Sequence, residues 1–89
     1  MDGVTTWTVQ IDLDEHDGRT RAVARLRTPD TERLVGVGFA RLNPADRDVP
    51  GIGEELATAR ALSELSHRLL DAAAGDIEQL SGKAANLVL

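Results

Sequence analysis

Side chains with the potential to bind a metal ion lie just before and within a predicted turn at Asp17-Gly18. They form a cluster of four residues: Asp12, Asp14, His16 and Asp17. Carboxylates bind Ca²⁺ in EF-hand loops, but such a loop needs glycine at its sixth position and glutamate at its twelfth. Counted from Asp12, those positions hold Asp17 and Val23. The cluster therefore predicts no metal site, and we expect its carboxylates to pair with arginines across strands.

Basic side chains follow the same turn, at Arg19, Arg21, Arg25 and Arg27. They belong to a segment, residues 19–47, with seven arginines against three acidic residues; the rest of the chain has three basic and twelve acidic residues. The planar guanidinium group suits the paired oxygens of phosphates and carboxylates. The simplest interpretation is a solvated sheet face on which arginine stems cover apolar surface. The functional interpretation is a face that binds phosphates.

No catalytic or cofactor motif accompanies these charges. His16 and His67 lie far apart in the sequence, and neither belongs to a recognisable nucleophile motif. The sequence Gly36-Val37-Gly38 lacks the third glycine and the strand-to-helix turn of a dinucleotide-binding loop. We therefore expect a protein that is not an enzyme and that needs neither a metal nor a cofactor.

Length and composition limit the class of protein. The 89 residues predict a single domain, residues 1–89, with a modest core that a partner chain would help to stabilise. There is no cysteine. Neither a signal peptide nor a run of about 20 apolar residues is visible, so we expect a cytoplasmic protein. The net charge of −5 argues against bulk non-specific binding of nucleic acid.

Three strands are predicted before residue 42. Apolar and polar residues alternate from Trp7 to Leu13, which is the two-residue period of a half-buried strand. The Asp-Gly pair that follows predicts a tight hairpin turn. As a two-residue loop it sets a register in which Leu13 faces Ala22; a four-residue loop would change the pairs but keep the same side chains together on each face. The second strand, residues 19–27, then carries its arginines on the other face of the sheet.

The second hairpin is expected to turn through a four-residue loop, Pro29 to Glu32. That loop pairs Ala24 with Val37. It predicts one inner, apolar face made of Trp7, Val9, Ile11, Leu13, Ala22, Ala24, Leu26, Val35, Val37 and Phe39. The outer face then combines the arginines with three small residues, Gly36, Gly38 and Ala40. Such a floor would let a ligand or a second protein approach the backbone closely.

A long helix is predicted after the strands. It should run from Gly51 or Gly53 to Ala74, with Gly75 as its C-terminal stop. Its leucine-rich stripe is expected to cover the inner face: Ile52, Leu56, Ala59, Leu62, Ser66, Leu69, Leu70 and Ala73. A weaker stripe should point away from the sheet: Ala57, Ala61, Leu65 and Ala72. Residues 76–79 resemble a capping box that opens a short C-terminal helix.

The chain resembles a known family in three stretches, WTVQIDLDEH, LVGVGFARLNPADRDVPGIGEELATARALSEL and DIEQL. The family consists of small actinobacterial proteins of unknown function, one of them a dormancy-associated mycobacterial protein. The resemblance extends from Trp7 to the C-terminus. It implies a fold similar to double-stranded-RNA-binding domains (dsRBD-like), a dimeric assembly and no known catalytic residues. The fold has also been likened to ribosome hibernation factors, although this chain has no helix between its first two strands.

The expected fold is therefore α+β, with a three-stranded antiparallel sheet in the order 1-2-3, one long helix on one face and a short C-terminal helix. The expected function is stress- or dormancy-linked binding of the ribosome or structured RNA, with the four arginines contacting phosphates. The alternative is a dimeric protein-interaction module without nucleic-acid binding; a small-molecule enzyme ranks third. A homodimer is expected because sheet edges and exposed apolar surface are normally covered. Its interface is predicted at Ala61, Leu65, Leu87, Val88 and Leu89.

Overall fold

The computed structural model describes residues 3–30, 34–41, 50–82 and 85–87. It contains, in chain order, β1 (Thr8–His16), β2 (Arg19–Arg27), β3 (Val35–Arg41) and the helix α1 (Pro50–Ser81). The strands form one antiparallel sheet in the order β1-β2-β3, and α1 packs across one face, mainly over β2 and β3. The predicted α+β fold and strand order are confirmed.

The first hairpin has the predicted register. Leu13 faces Ala22, and the remaining pairs follow in step from one end of β1 to the other. The two turn residues, Asp17 and Gly18, have φ values of 51° and 71°. A two-residue loop of this type needs positive φ at both positions. The chemistry of the turn therefore determines the register of β1 and β2.

The second hairpin is shifted by one residue from the predicted register. Ala22 faces Gly38 and Ala24 faces Gly36, whereas the four-residue loop would have paired Ala24 with Val37. A shift of one residue turns every side chain of a strand to the opposite face. The face away from the helix therefore holds Val35, Val37 and Phe39. The face beneath the helix holds Gly36, Gly38 and Ala40, and the predicted faces of β3 are wrong.

The helix packs directly against the two glycines of β3. A Cβ built on Gly36 would lie 2.6 Å from the amide nitrogen of Leu65, and one built on Gly38 would lie 2.8 Å from the carbonyl carbon of Arg60. Contacts this short do not occur between real atoms, so only glycine permits this separation of helix and sheet. The small-residue floor that we expected to meet a ligand or a second protein is covered by the chain's own helix.

The buried side of α1 belongs to the stripe predicted to point away from the sheet, apart from Ala72 of that stripe, which is exposed. Ala57 and Ala61 are fully buried and Leu65 is 3% exposed, whereas Ile52 and Leu56 of the leucine-rich stripe are 62% and 43% exposed. Ala57 and Ala61 occupy the closest part of the contact because the approach to the β3 backbone at Gly38 leaves no room for larger side chains there. The predicted orientation of the helix is wrong. Ala61 and Leu65 belong to the core and cannot form the predicted dimer interface.

One continuous helix of 32 residues replaces the predicted pair of helices. Gly75, the expected stop, lies inside it with nothing within 4 Å of a Cβ at that position. An isolated glycine in a helix costs only about 1 kcal/mol relative to alanine, which does not suffice to end it. The helix ends at Ser81, and the next residue, Gly82, has a φ of 69° and donates its N–H to the carbonyl of Glu78 at 2.8 Å.

The core between helix and sheet is small. Its buried residues are mostly alanines, and Leu26 and Leu65 are the largest of them. The radius of gyration is 16.7 Å, whereas a compact domain of this length would have about 12 Å. Many apolar side chains in the described ranges stay exposed: Val4, Trp7, Val9, Leu13, Phe39, Ile52, Leu56, Leu62, Ile77, Leu80 and Leu87. This exposed surface is large for so short a chain.

Candidate nucleic-acid interface

The face of the sheet turned away from α1, here called the outer face, carries a concentration of arginines. Strand pairing places the following side chains on it: Gln10, Asp12, Asp14, His16, Arg19, Arg21, Val23, Arg25, Arg27, Val35, Val37, Phe39 and Arg41. Five arginines against two aspartates give these residues a net charge of +3. The helix carries six acidic and two basic residues, a net charge of −4. Charge is therefore separated across the sheet, although the whole chain has a net charge of −5.

The four arginines predicted from the sequence all lie on the outer face, and two of them pair with aspartates of β1. Arg25 Nη1 lies 3.1 Å from Asp12 Oδ2, and Arg21 Nη1 lies 3.6 Å from Asp14 Oδ2. All four side chains remain 43% to 65% exposed. Exposed pairs of this kind contribute only about 0.2–1 kcal/mol each. The aspartates therefore hold the guanidinium groups in place without sequestering them from an incoming anion.

An aromatic ring lies among these arginines, contrary to prediction. Phe39 was expected in the core, but the shifted register puts it on the outer face with 40% of its surface exposed. The guanidinium carbon of Arg19 lies 4.1 Å from the centroid of its ring. Arg21 is its direct cross-strand partner, and Arg41 follows two residues later on the same face. The outer face thus offers the combination of aromatic and cationic groups on which unpaired bases stack.

The remaining arginines of the outer face extend the basic surface to both ends of the sheet. Arg41 faces Arg19 at one end, and Arg27 closes β2 at the other. Both are exposed, and neither forms an ion pair with any residue of the described ranges. Two cationic groups are therefore available there without the loss of an internal contact.

Val23 lies at the centre of the outer face and is only 5% exposed, although no helix covers it. Its cross-strand neighbours are Asp12 and Val37. Its neighbours along β2 on the same face are Arg21 and Arg25. The stems of these side chains must cover it, as long basic side chains commonly do on apolar surface. The outer face is therefore both a solvated sheet face, on which arginine stems cover apolar surface, and a basic surface.

The histidines make local polar contacts. His16 Nε2 lies 3.2 Å from Asp17 Oδ2 at the tip of the first hairpin, where both side chains are 89% exposed. His67 Nδ1 lies 2.8 Å from the carbonyl oxygen of Ser63, one turn earlier in α1. Within the described ranges, no three His, Cys, Asp or Glu residues are grouped closely enough to hold a metal ion. The acidic cluster at the hairpin is instead organised by its ion pairs with Arg21 and Arg25.

The structure describes three of the five residues predicted at the dimer interface and buries two of them. Ala61 and Leu65 are buried against β3, as described above. Leu87 is 39% exposed, and Val88 and Leu89 lie outside the described residues. Exposed apolar side chains occur instead on the helix side of β1, at Trp7, Val9 and Leu13, and along α1.

Sequence reasoning missed four outer-face residues: Val35, Val37, Phe39 and Arg41. The signal that would have placed them is a match between small residues. Gly36 and Gly38 are two positions apart in a strand, about 6.8 Å, and Ala57 and Ala61 are four positions apart in a helix, about 6 Å. These spacings fit one another, so glycines and alanines can face each other in successive contacts.

No helix in the part of the chain that the structure describes is both long and apolar enough to cross a membrane. α1 is long enough by length alone, since 32 residues rise about 48 Å. Its eight charged residues, however, are distributed from Glu54 to Glu78.

Comparison with known proteins establishes the family. Residues 5–86 match the family model described as Rv2632c-like. The chain belongs to the Rv2632c-like family. It is 58% identical over 82 residues to Mb1767 of Mycobacterium bovis, covering 92% of this chain and 86% of that protein. It is 55% identical over 73 residues to Rv2632c of Mycobacterium tuberculosis, covering 80% of this chain and 77% of that protein.

A solved structure of the Rv2632c-like family supports the fold. The crystal structure of Rv2632c has a TM-score of 0.82 and 45% sequence identity with this chain, covering 92% of this chain and 96% of that one. The sequence resemblance to a small actinobacterial family of unknown function is thereby confirmed. Mb1767 and Rv2632c are both described as uncharacterised. The function of this chain therefore has to be argued from its own surface.

Proposed function

We propose that the protein is a non-enzymatic, stress- or dormancy-associated binding protein that acts in the cytoplasm and binds structured RNA, ribosomal RNA in particular, through its outer face. The observation that carries the proposal is the +3 charge of that face around the exposed ring of Phe39. Arginines that neutralise phosphates supply most of the affinity for a nucleic acid. An exposed ring beside a guanidinium group adds stacking on an unpaired base.

The internal ion pairs are compatible with RNA binding and should limit the affinity for RNA. A phosphate can replace the carboxylate of Asp12 on Arg25, because the exposed pair is weak. The replaced aspartate stays nearby and repels the phosphate, so affinity should be modest and the orientation of the RNA restricted. The proposed dsRBD-like character of the fold agrees with this mode, because those domains recognise RNA by shape and phosphate contacts.

The proposal is tested by the salt dependence of binding to purified ribosomes and to an RNA hairpin. Four phosphate contacts predict a log–log slope of about −3. Replacing Arg21 and Arg25 together by alanine should reduce the magnitude of that slope by about one to two. Phe39→Ala should weaken binding to the hairpin with little change in slope, since stacking releases no counterion.

A matched control separates a specific face from overall charge. Arg21→Ala and Arg68→Ala each remove one positive charge and one exposed ion pair, the first on the outer face and the second between Arg68 and Glu64 of α1. We expect only Arg21→Ala to weaken binding. Equal effects of the two variants, or no binding by the parent protein at low salt, would contradict the RNA proposal.

A second candidate function is a dimeric protein-interaction module without nucleic-acid binding. Two observations favour it: Asp12 and Asp14 already neutralise two of the arginines, and β1 exposes apolar side chains on its helix side. In that case Arg21 and Arg25 stabilise the sheet and the apolar surface carries the function. A parent protein that forms a dimer yet leaves ribosomes and RNA unbound at low salt would select this candidate.

A further inference from the structure

Side chains of α1 cap the β3 edge of the sheet. At β3, Glu64 Oε1 of the helix accepts a hydrogen bond from the N–H of Val37 at 3.3 Å. Arg60 Nη1 donates to the carbonyl oxygen of Phe39 at 2.7 Å. Both backbone groups point away from β2, so these side chains occupy positions that an added strand would need. Capping of this kind is one way in which proteins prevent edge strands from pairing with other chains.

The opposite edge, at β1, carries no such caps in the part of the chain that the structure describes. The N–H of Leu26 donates to the carbonyl of Leu34 at 2.9 Å, so even-numbered residues of β2 bond to β3. Odd-numbered residues of β2 therefore bond to β1, where their partners are even-numbered. It follows that the N–H and C=O groups of Val9, Ile11 and Leu13 point outward.

The side chains at this open edge are apolar and uncovered. Trp7, Val9 and Leu13 are 56%, 41% and 39% exposed, because α1 packs over β2 and β3 and leaves β1 bare. β1 is nine residues long and contains no lysine or proline. Those are the residues that most often protect an edge strand from pairing. The open edge is thus long and, from Trp7 to Leu13, apolar on its helix side; its charged residues are the acidic Asp12, Asp14 and Glu15.

We propose that β1 of a second copy of this chain pairs antiparallel with this edge. The result is a two-fold symmetric dimer with a continuous six-stranded sheet and both helices on the same side. A second copy is the occupant because a strand pairing with itself antiparallel is self-complementary, as a two-fold contact requires. This proposal rests on the part of the second candidate function that makes the protein a dimer. It does not require that the protein leave RNA unbound.

Charge selects the register of this pairing. Pairing β1 over its full length would place Asp12 opposite Asp12 of the partner subunit, and like charges directly opposite are unfavourable. The two β1 strands can shift along each other only by steps that again place residues with outward-pointing N–H and C=O groups opposite one another. One step places Ile11 on the two-fold axis. Val9 then lies opposite Leu13 of the partner subunit, and Gln10 lies opposite Asp12 of the partner subunit.

This register is complementary on both faces of the sheet. On the helix side it aligns Val9, Ile11 and Leu13 with apolar residues only. On the outer face it places the amide of Gln10 beside a carboxylate, a contact that Gln10 Nε2 already makes with Asp12 of its own chain at 3.3 Å. The outer faces of the two chains also become one surface, which doubles the basic area available to RNA.

The register can be tested by disulfide formation, because the chain contains no cysteine. Directly opposite residues in antiparallel strands have Cα atoms about 5.5 Å apart in hydrogen-bonded pairs and about 4.5 Å apart in non-hydrogen-bonded pairs, and both distances are within reach of a disulfide. Ile11 with Ile11 of the partner subunit is a pair of the first kind, and Gln10 with Asp12 of the partner subunit is a pair of the second kind. We expect Ile11→Cys to form a disulfide-linked dimer under mild oxidation. Gln10→Cys and Asp12→Cys should each stay unlinked alone and should crosslink when the two variants are mixed.

Each alternative outcome of this experiment contradicts the proposal. A disulfide between two Gln10→Cys chains or between two Asp12→Cys chains would place the two-fold axis elsewhere and overturn the register. The absence of any crosslink in the Ile11→Cys variant and in the mixture would overturn the pairing itself. RNA binding by the parent protein can be measured separately, so failure here and failure of the RNA proposal remain distinguishable.

A second measurement uses light scattering. The parent chain should have twice its 9.5 kDa mass. Leu13→Pro removes an N–H that the monomer does not use, so it should yield a folded monomer with unchanged helical circular dichroism. The matched control is Leu80→Lys, which alters a 90% exposed leucine near the end of α1 and should leave the dimer intact. A dimer that survives Leu13→Pro, or one that Leu80→Lys dissociates, would overturn the proposal.

Discussion

The two faces of this sheet differ in how closely they are packed. On the helix side, Gly36 and Gly38 lie against the backbone of α1, and no side chain separates the two layers at those positions. On the outer face, long side chains flank Val23, and the ion pairs among them stay about half exposed. The first face depends on shape at the level of single atoms, whereas the second depends on charge and tolerates rearrangement.

This difference separates stability from function along the same three strands. Alternate residues of β2 and β3 serve one face or the other, so a substitution affects either packing or the basic surface. Substitutions on the helix side should therefore change the free energy of unfolding, and substitutions on the outer face should change binding. Three sites test that separation, Gly38, Leu65 and the ion pair of Arg25 with Asp12, in order from the largest expected effect on stability to the smallest.

Gly38→Ala is expected to have the largest effect. Its Cβ would overlap the carbonyl oxygen of Ala57 and the amide nitrogen of Ala61, and neither backbone atom can move without displacing the helix. We expect a loss of about 3 kcal/mol or more in the free energy of unfolding, measured by chemical denaturation. For a core this small, that loss is expected to unfold much of the protein.

The matched control for that substitution is Gly75→Ala. Gly75 lies in α1, the helix that packs on Gly38. It is exposed and has open space around a Cβ. Alanine there should stabilise the protein by about 0.8–1 kcal/mol through helix propensity alone. Similar effects of the two substitutions would show that close packing at Gly38 does not hold the helix on the sheet.

Leu65→Ala is expected to have the next largest effect. Leu65 is 3% exposed and is the largest buried side chain that α1 contributes to the core. Truncation should cost about 2–5 kcal/mol in chemical denaturation. Ile11→Ala should cost less, at or below the lower end of that range, because Ile11 is only partly buried. A larger loss for Ile11 than for Leu65 would contradict the observed position of the helix.

The sequence predicted the first hairpin well and the second poorly, for a physical reason. Asp17-Gly18 needs positive φ at both positions, which permits one loop length and therefore one register. A turn that begins with Pro29-Asp30 is compatible with several loop lengths. The four-residue loop was one choice among them, and its register turned the valines and phenylalanine of β3 inward and the glycines outward. That choice is wrong because the helix sits too close for large side chains.

The same reasoning explains the helix. Its leucine-rich stripe is the more hydrophobic one, but Ala57, Ala61 and Leu65 match the glycines of β3 in size and spacing. Hydrophobicity measures how much a residue gains by burial, and it does not measure how closely two backbones approach. The placement of Arg21 and Arg25 on the outer face followed from the first hairpin alone and was therefore predictable. Phe39 was not, because its position depends on the second.

The smallest effect on stability is expected at the ion pair between Arg25 and Asp12. A double-mutant cycle with Arg25→Ala and Asp12→Ala should give a coupling of about 0.2–1 kcal/mol, because both side chains are about half exposed at a distance of 3.1 Å. The coupling should fall further when the salt concentration rises from 0.1 M to 1 M, since the Debye length shrinks from about 10 Å to about 3 Å. A coupling above about 2 kcal/mol that persists in high salt would mean that the outer face is packed as rigidly as the helix side. It would also contradict the exchange of Asp12 for a phosphate, because that exchange requires a guanidinium group held weakly by its own chain.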